Sequence, residues 1–70
     1  MLTVLRLARL KTRATLRSFA RLHQLDEATL SRIERGIQYV PPHWRQRLAI
    51  ALELGVDDIC DARGWPKLVE

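Results

Sequence analysis

The residues best suited to form specific contacts lie in one stretch, DEATLSRIERG, which runs from Asp26 to Gly36. Asp26 is a good helix N-cap, because its carboxylate can accept hydrogen bonds from the free N–H groups of a first turn. Leu30 and Ile33 can share one buried face. Gly36 follows where a left-handed residue ends a helix at least cost. The stretch therefore predicts a short helix with one buried side and one exposed polar edge.

A second helix is predicted just upstream, over about residues 16–23. Thr15 can cap it, and Phe19 and Ala20 supply its inner face. About three residues separate the two helices, which is the spacing of a helix-turn-helix. In that motif the second helix enters the major groove of DNA and places its N-terminal residues at base edges.

The exposed edge of the predicted recognition helix carries side chains that match base edges. Arginine can read guanine through two hydrogen bonds, glutamate can accept from cytosine, and threonine or alanine methyl groups can contact thymine. Glu27 also has a simpler role, because the helix dipole favours a negative charge at a helix start. Within helix 27–35 we expect the base-reading residues to be Glu27, Ala28, Thr29 and Arg32.

Taken together, this pattern resembles the lambda-repressor-like (XRE, Cro/CI-type) family of DNA-binding domains. The run SRIERG is its most recognisable part, and the resemblance covers roughly residues 3–60. The positions that carry it are Thr15-x3-Phe19-Ala20-x4-Leu25-Asp26-x2-Thr29-Leu30-Ser31-Arg32-Ile33-Glu34-Arg35-Gly36. The resemblance implies an all-α fold of five short helices in a domain of residues 1–62, with helices 2 and 3 as the central helix-turn-helix. It also implies a structural ion pair between Arg9 and Glu34.

Three positions depart from the family pattern. Leu16 stands where the family usually has a glutamine that contacts phosphate, which leucine cannot do. Gln24 stands where a glycine usually makes the tight turn, and it must adopt that turn with a side chain present. His23 replaces an apolar residue, and we expect it to be a half-buried packing residue. These departures keep open a second function, in which the fold binds a protein.

Phosphate contacts are expected from the starts of helices 2 and 4, from the loop between helices 3 and 4, and from the recognition helix. The prolines at positions 41 and 42 stiffen that loop and start helix 4, which is expected to run to Leu54 and to end at Gly55. The expected phosphate-contacting residues are Thr15, Arg17, Ser31, Arg35, Gln38, Tyr39, His43 and Arg45.

Charge is unevenly distributed along the chain. Residues 1–25 hold six cations and no acid, residues 26–47 four cations and three acids, and residues 48–70 two cations and five acids. The segment charges of +6, +1 and −3 sum to the net +4. A basic half that contains the helix-turn-helix suits a protein that turns one side toward a polyanion.

The C-terminal segment is expected to form a fifth helix, residues 58–62, capped by Asp57, followed by a tail over residues 63–70. Trp65, Leu68 and Val69 make this tail too apolar to remain free. They either fold back over helix 1 or meet a second chain. Dimers of the resembling family often form through this end, so we expect a homodimer with its recognition helices about 34 Å apart.

Composition excludes several other classes of function. At 47% hydrophobic and 29% charged residues the chain is a soluble globular type, and no apolar run approaches a membrane span. Cys60 is the one cysteine, so no internal disulfide forms. No recognisable catalytic set, metal site or cofactor motif is present, and we expect a cytoplasmic protein that is not an enzyme.

We therefore expect a sequence-specific double-stranded DNA-binding transcriptional regulator, either a repressor or an activator, that acts as a dimer. The alternative is a protein-interaction module with the same fold, such as an antitoxin, a co-regulator or an anti-activator. Fold alone does not decide between the two.

Overall fold

A computed structural model describes residues 2–69 of the chain. Within that range it contains five helices and two isolated antiparallel bridges, but no strand. The helices are α1 (Val4–Lys11), α2 (Leu16–Leu22), α3 (Glu27–Glu34), α4 (Pro42–Leu52) and α5 (Val56–Ile59). This confirms the expected all-α fold, with the helix-turn-helix formed by α2 and α3.

The first three helices begin where side chains can satisfy their free N–H groups. The caps are Thr3, Thr15 and Asp26, and each side-chain oxygen accepts from the backbone N–H three residues later. Each cap satisfies one of the N–H groups that a first helical turn leaves without a partner. Local sequence therefore sets these three helix starts.

Two residues with a left-handed backbone conformation set the direction of the chain before and after α3. Gly36 has φ 77° and follows Arg35, the C-cap of the helix. Gln24 has φ 55° in the turn between α2 and α3, so it adopts the expected conformation despite its side chain. Left-handed backbone costs a residue with a Cβ more than it costs glycine, so contacts elsewhere must hold Gln24 in place.

The end of α4 differs from the expectation. The helix ends at Leu52 rather than at Leu54, and Glu53 is the left-handed C-cap with φ 57°. Gly55 has an extended backbone instead and precedes the next helix. Gly55 is the stronger local signal for a helix end. The direction of the chain into α5 nevertheless places the left-handed residue two positions earlier, at Glu53.

The fifth helix also begins earlier than expected. It spans Val56–Ile59 rather than residues 58–62, and Asp57 lies inside it instead of capping it. The Asp58 carboxylate accepts the backbone N–H of Gly55 at 2.8 Å. This register places fully buried Ile59 and half-buried Val56 three residues apart on the inner face. Burial of that apolar pair decides the register, which cap preference alone could not do.

All five helices contribute buried apolar side chains to one core. Trp44 of α4 is a core residue with 8% of its surface exposed, as its apolar spacing predicted. Cys60 is buried as well, and this burial raises the pKa of its thiol. The buried apolar residues are Leu5, Phe19, Ala20, Leu25, Leu30, Ile33, Val40, Trp44, Leu48, Ala49, Ile59 and Cys60.

The segment after α5 is bound to the body of the fold by backbone hydrogen bonds. Val4 donates to the Lys67 carbonyl at 2.9 Å, and Val69 donates to the Leu2 carbonyl at 2.8 Å. These bonds hold the segment antiparallel to the entry into α1. Among residues 2–69, no helix has the length and apolar character that a bilayer crossing requires.

Candidate nucleic-acid interface

The polar side of α3 is accessible to solvent. Ala28 is exposed, and Glu27, Thr29 and Arg32 are each partly exposed. Leu30, which faces the opposite way, has no exposed surface. The structure therefore places all four predicted base-reading residues on a helix whose other side is anchored in the core.

A chain of hydrogen bonds fixes the side chains at one edge of α3. The Asp26 carboxylate accepts from the Thr29 hydroxyl at 2.6 Å and from the Thr29 backbone N–H at 3.0 Å. These two bonds, the hydroxyl first, hold the pKa of Asp26 below its usual value. Arg32 then donates to the Thr29 hydroxyl oxygen at 3.2 Å and, through Nε, to Gln38 Oε1 at 2.7 Å.

This arrangement leaves Arg32 able to bind a base. A guanidinium has five N–H donors, and two of them are used by Thr29 and Gln38. The remaining three include a donor on each terminal nitrogen. They suffice for the paired hydrogen bonds with which arginine recognises guanine. The contacts with its own chain therefore orient Arg32 without exhausting it.

Gln38 has a role that the sequence did not indicate. It was expected to contact phosphate, but its side-chain oxygen accepts from Arg32, six residues earlier in the chain. The contact crosses from the helix into the following loop, so no helical periodicity could predict it. The amide NH₂ group of Gln38 remains available for a phosphate.

The starts of α2 and α3 are joined by a weak surface ion pair. Arg17 Nε lies 3.5 Å from Glu27 Oε1, and both side chains are largely accessible to solvent. Exposed pairs of this kind contribute little to stability, typically less than about 1 kcal/mol. The contact nevertheless offsets the negative charge of Glu27 next to a surface that would face phosphates.

The loop after α3 and the start of α4 present three of the predicted phosphate contacts. Tyr39 and His43 are exposed, and Gln38 is partly exposed. No side chain caps the start of α4, and its first residue, Pro42, has no N–H group. The Trp44 N–H donates to the Pro41 carbonyl at 2.9 Å, so the His43 N–H of the first turn is left for an anion.

On the opposite edge of α3 lie Ser31 and Arg35, one turn apart. Ser31 is half-buried, and the exposed Arg35 side chain makes one long hydrogen bond, 3.3 Å, to the Ser31 carbonyl. At the start of α2, the Thr15 hydroxyl caps the helix and also bonds to the Ser18 hydroxyl. Phosphate contacts by Ser31, Arg35 and Thr15 stay predictions.

Arg45 is bound to its own chain. Its guanidinium donates to the Val40 carbonyl at 3.0 Å and to the Arg63 carbonyl at 3.2 Å. Gly64 packs against it with φ +92°, and a Cβ at Gly64 would collide with that guanidinium and lie 2.9 Å from the Val40 oxygen. Arg45 therefore joins the loop to the C-terminal segment, and a phosphate contact by Arg45 would compete with these bonds.

Beneath α3, Arg9 and Glu34 form a buried ion pair with two parallel hydrogen bonds of 2.6 and 2.9 Å. A third Arg9 nitrogen donates to the Ala14 carbonyl at 2.8 Å. The Thr3 hydroxyl donates to the Glu34 backbone carbonyl, also at 2.8 Å. α1 is thereby joined to the C-terminal end of α3, and the pair serves the fold rather than the exposed surface.

Arg47 of α4 supports the turn of the helix-turn-helix. It donates to the backbone carbonyls of His23 and Gln24. The His23 ring, half-buried as expected, packs on Phe19 with 4.5 Å between ring centres. Sequence reasoning missed Arg47, because its partners are backbone carbonyls on another helix and leave no trace in the pattern.

The three predicted dimer residues occupy two places. Trp65 lies next to Tyr39 of the α3–α4 loop, edge to face, with 6.3 Å between the ring centres. Leu68 and Val69 run beside the entry into α1. The C-terminal segment therefore brings an exposed aromatic pair close to the end of α3.

Comparison with known protein families agrees with this architecture. A family described as the helix-turn-helix domain matches residues 2–61, which include all five helices. No curated protein and no solved structure matches the chain significantly. Because the match covers most of the sequence and coincides with the observed helices, the chain belongs to the helix-turn-helix domain family.

Proposed function

We propose that the protein is a sequence-specific double-stranded DNA-binding transcriptional regulator that inserts α3 into the major groove. α3 is about 10–12 Å across with its side chains, and the groove is about 12 Å wide. A helix seated there has a sugar-phosphate strand along each edge. The basic half of the chain, residues 1–25 with six cations, contains α2, which packs on α3 and carries Arg17 beside Glu27.

The observation that carries the proposal is the oriented Arg32 on the exposed side of α3. Two side chains hold it, and it retains a free donor on each terminal nitrogen. Fixing the side chain before binding lowers the side-chain entropy that a base contact would otherwise cost. Ala28 and Glu27 are the neighbouring base contacts in the proposal, and Arg17 and His43 contact the backbone.

We also propose that two copies bind together. Tyr39 is 47% exposed and Trp65 is 44% exposed, and they form one aromatic surface beside the loop that follows α3. Large aromatic side chains of this kind are enriched at the centres of protein interfaces. A dimer through this surface would place two α3 helices on one side, as a symmetric operator requires.

Selection of bound sites from a random duplex pool tests the DNA proposal. We expect enrichment of a defined motif with inverted symmetry. Repeating an electrophoretic shift at rising salt should show weakening of all complexes, with selected sites retaining an advantage over random DNA. A pool that stays random while the protein binds no duplex at low salt would refute the proposal.

Analytical ultracentrifugation with the selected duplex tests the dimer. Trp65→Ala is expected to shift the complex from two copies to one. Ile50→Ala is the matched control, because Ile50 is 68% exposed on α4 and makes no part of the aromatic surface. Equal stoichiometry for both variants and for the unchanged protein would count against this interface.

A second function is favoured by one observation. An open groove of about 300 Å³ lies between α1 and the end of α4, with Val4, Leu7, Leu52 and Leu54 among its lining residues. An apolar groove of this kind suits a protein segment. The alternative is therefore a protein-interaction module, and it is favoured if the chain binds no DNA.

A further inference from the structure

We propose that α1 contributes a DNA contact of its own: a pocket between Arg6 and Arg35 binds a backbone phosphate beside the recognition helix. The proposal deepens the DNA-binding function proposed above and rests on it. Arg6 lies outside the helix-turn-helix, and its position in the sequence gave no reason to assign it a contact.

The pocket lies along the edge of α3 that faces α1 and α2. Its volume is about 150 Å³, which is the share of roughly five water molecules in the liquid and accommodates the five heavy atoms of a phosphate group. Its lining residues are Arg6, Arg9, Leu16, Ser31, Glu34 and Arg35.

The charges that line the pocket do not cancel. Arg9 and Glu34 neutralise each other, because both carboxylate oxygens are bound by the Arg9 guanidinium. The Arg6 side chain has no hydrogen-bond partner within residues 2–69, and Arg35 has only the long bond to the Ser31 carbonyl. Two cations therefore remain for an anionic ligand.

The polar groups at the pocket also match a phosphate. Ser31 is half-buried, and its hydroxyl donates to no acceptor among the residues that the structure describes. Arginine forms charge-assisted, often paired hydrogen bonds with phosphate oxygens. The Leu16 side chain offers no polar atom, so among the side chains the two arginines and Ser31 supply the contacts.

The position of the pocket favours DNA over a free anion as the source of this phosphate. Ser31 and Arg35 follow one edge of α3, and Ala28 and Arg32 lie on the adjoining exposed side. When that side faces the bases, the strand along the Ser31 edge passes the pocket. The other strand passes Gln38 and His43, so the two edges of α3 hold the two strands.

The test compares the salt dependence of binding to a random-sequence duplex for four proteins. For Arg6→Ala we expect the slope of log K against log salt to fall by about 0.9, the value for one lost phosphate contact. Arg6→Lys should restore the slope, because it keeps the charge. Lys11→Ala is the matched control, since Lys11 is an exposed cation on the same helix that lines the α1–α4 groove instead. It should leave the slope unchanged.

A neutral methylphosphonate, placed at each backbone position of a selected duplex in turn, locates the contact. At one position the methylphosphonate should weaken DNA binding by the unchanged protein about as much as the Arg6→Ala substitution does. At the same position it should not weaken DNA binding by Arg6→Ala any further. Slopes that are equal for Arg6→Ala and Lys11→Ala, with the unchanged protein still binding DNA, would overturn this inference and leave the proposed function intact. Failure of the unchanged protein to bind any duplex would overturn both.

Inorganic phosphate serves as the remaining arm. Thermal stability of the protein is measured with added phosphate at constant ionic strength. If Arg6→Ala loses the stabilisation by phosphate but binds DNA unaltered, the pocket binds a free anion and the DNA assignment is overturned. Circular dichroism melting of each variant confirms folding, which the exposed position of Arg6 leads us to expect.

Discussion

Arginines at two locations in this molecule have opposite roles. The inner arginines, Arg9, Arg45 and Arg47, donate to a buried carboxylate or to backbone carbonyls and join separate parts of the fold. The outer arginines, Arg6 and Arg35, lie along α3 with their donors largely unused. Both groups carry the same charge. They differ in whether a hydrogen-bond acceptor of the chain itself lies within reach of the guanidinium.

The comparison teaches that the basic character of the chain overstates its DNA-binding surface. Arg45 would be counted as a phosphate contact from its place at the start of α4, but Val40 and Arg63 already bind it. Arg6 would be passed over, and it lies beside an open pocket. Three substitutions of arginine test this division and a fourth tests the cap of α3, from the largest expected effect to the smallest.

The largest effect is expected at an inner arginine. Arg9→Ala should lower the free energy of unfolding by about 3–5 kcal/mol, because it leaves the Glu34 carboxylate buried without a partner. Chemical denaturation measures this change. Replacing both residues with apolar ones, Arg9→Met and Glu34→Leu, should cost less than Arg9→Ala alone. If the double variant lost as much free energy of unfolding as the two single substitutions added together, the two side chains would act independently.

Arg32 should behave as a reader of bases. Arg32→Ala is expected to lower the preference for a selected site over random DNA by about 1–3 kcal/mol. Arg17→Ala provides the contrast, since a phosphate contact should weaken all sequences alike and lower the salt slope by about one. Competition binding with both duplexes measures the difference. Equal losses on selected and random DNA for Arg32→Ala would remove it from the base-reading set.

Arg47 sharpens the comparison, because it is exposed yet bound to its own chain. Arg47→Ala should cost about 1 kcal/mol of stability, less than the roughly 1.5–3 kcal/mol of hydrogen bonds from charged groups, because Arg47 is exposed to solvent. Amide hydrogen exchange should accelerate in the turn around Gln24 and Leu25 more than in α1. Gln46→Ala, an exposed neighbour on α4, is the control and should leave exchange unchanged. Unaltered exchange in the turn for Arg47→Ala would remove it from the inner group.

The smallest effect concerns the Asp26 cap and is expected to fade in acid. Hydrogen bonds from Thr29 lower the pKa of Asp26 in the folded protein. Its contribution is therefore complete above the unfolded pKa of about 4 and is lost as the pH falls through the folded pKa. Asp26→Asn keeps a capping oxygen but removes this dependence, so the two proteins should differ less in stability at pH 3 than at pH 7. Asp57→Asn, which changes an exposed acid outside any cap, should show no such convergence. A difference that grows on acidification would contradict the sign of the shift.

Much of the helix-turn-helix could be predicted from the sequence, because its signals are local. Caps at Thr15 and Asp26, the apolar pair Leu30 and Ile33, and the left-handed Gly36 act within one or two turns. The bounds of α4 and α5 could not be predicted in the same way. There the burial of Ile59 fixes the register of α5, and Gly55 precedes that helix instead of ending α4.

The sequence by itself determined the all-α class, the position of the recognition helix and which side of it is polar, because capping and helical periodicity depend only on near neighbours. The tertiary structure alone decided which cations remain free. Arg45 meets Arg63 and Arg47 meets His23 across 18 and 24 residues of chain. Hydrogen bonds over such separations form only after the helices have packed. They give Arg45 and Arg47, two similar side chains on one helix, a structural role.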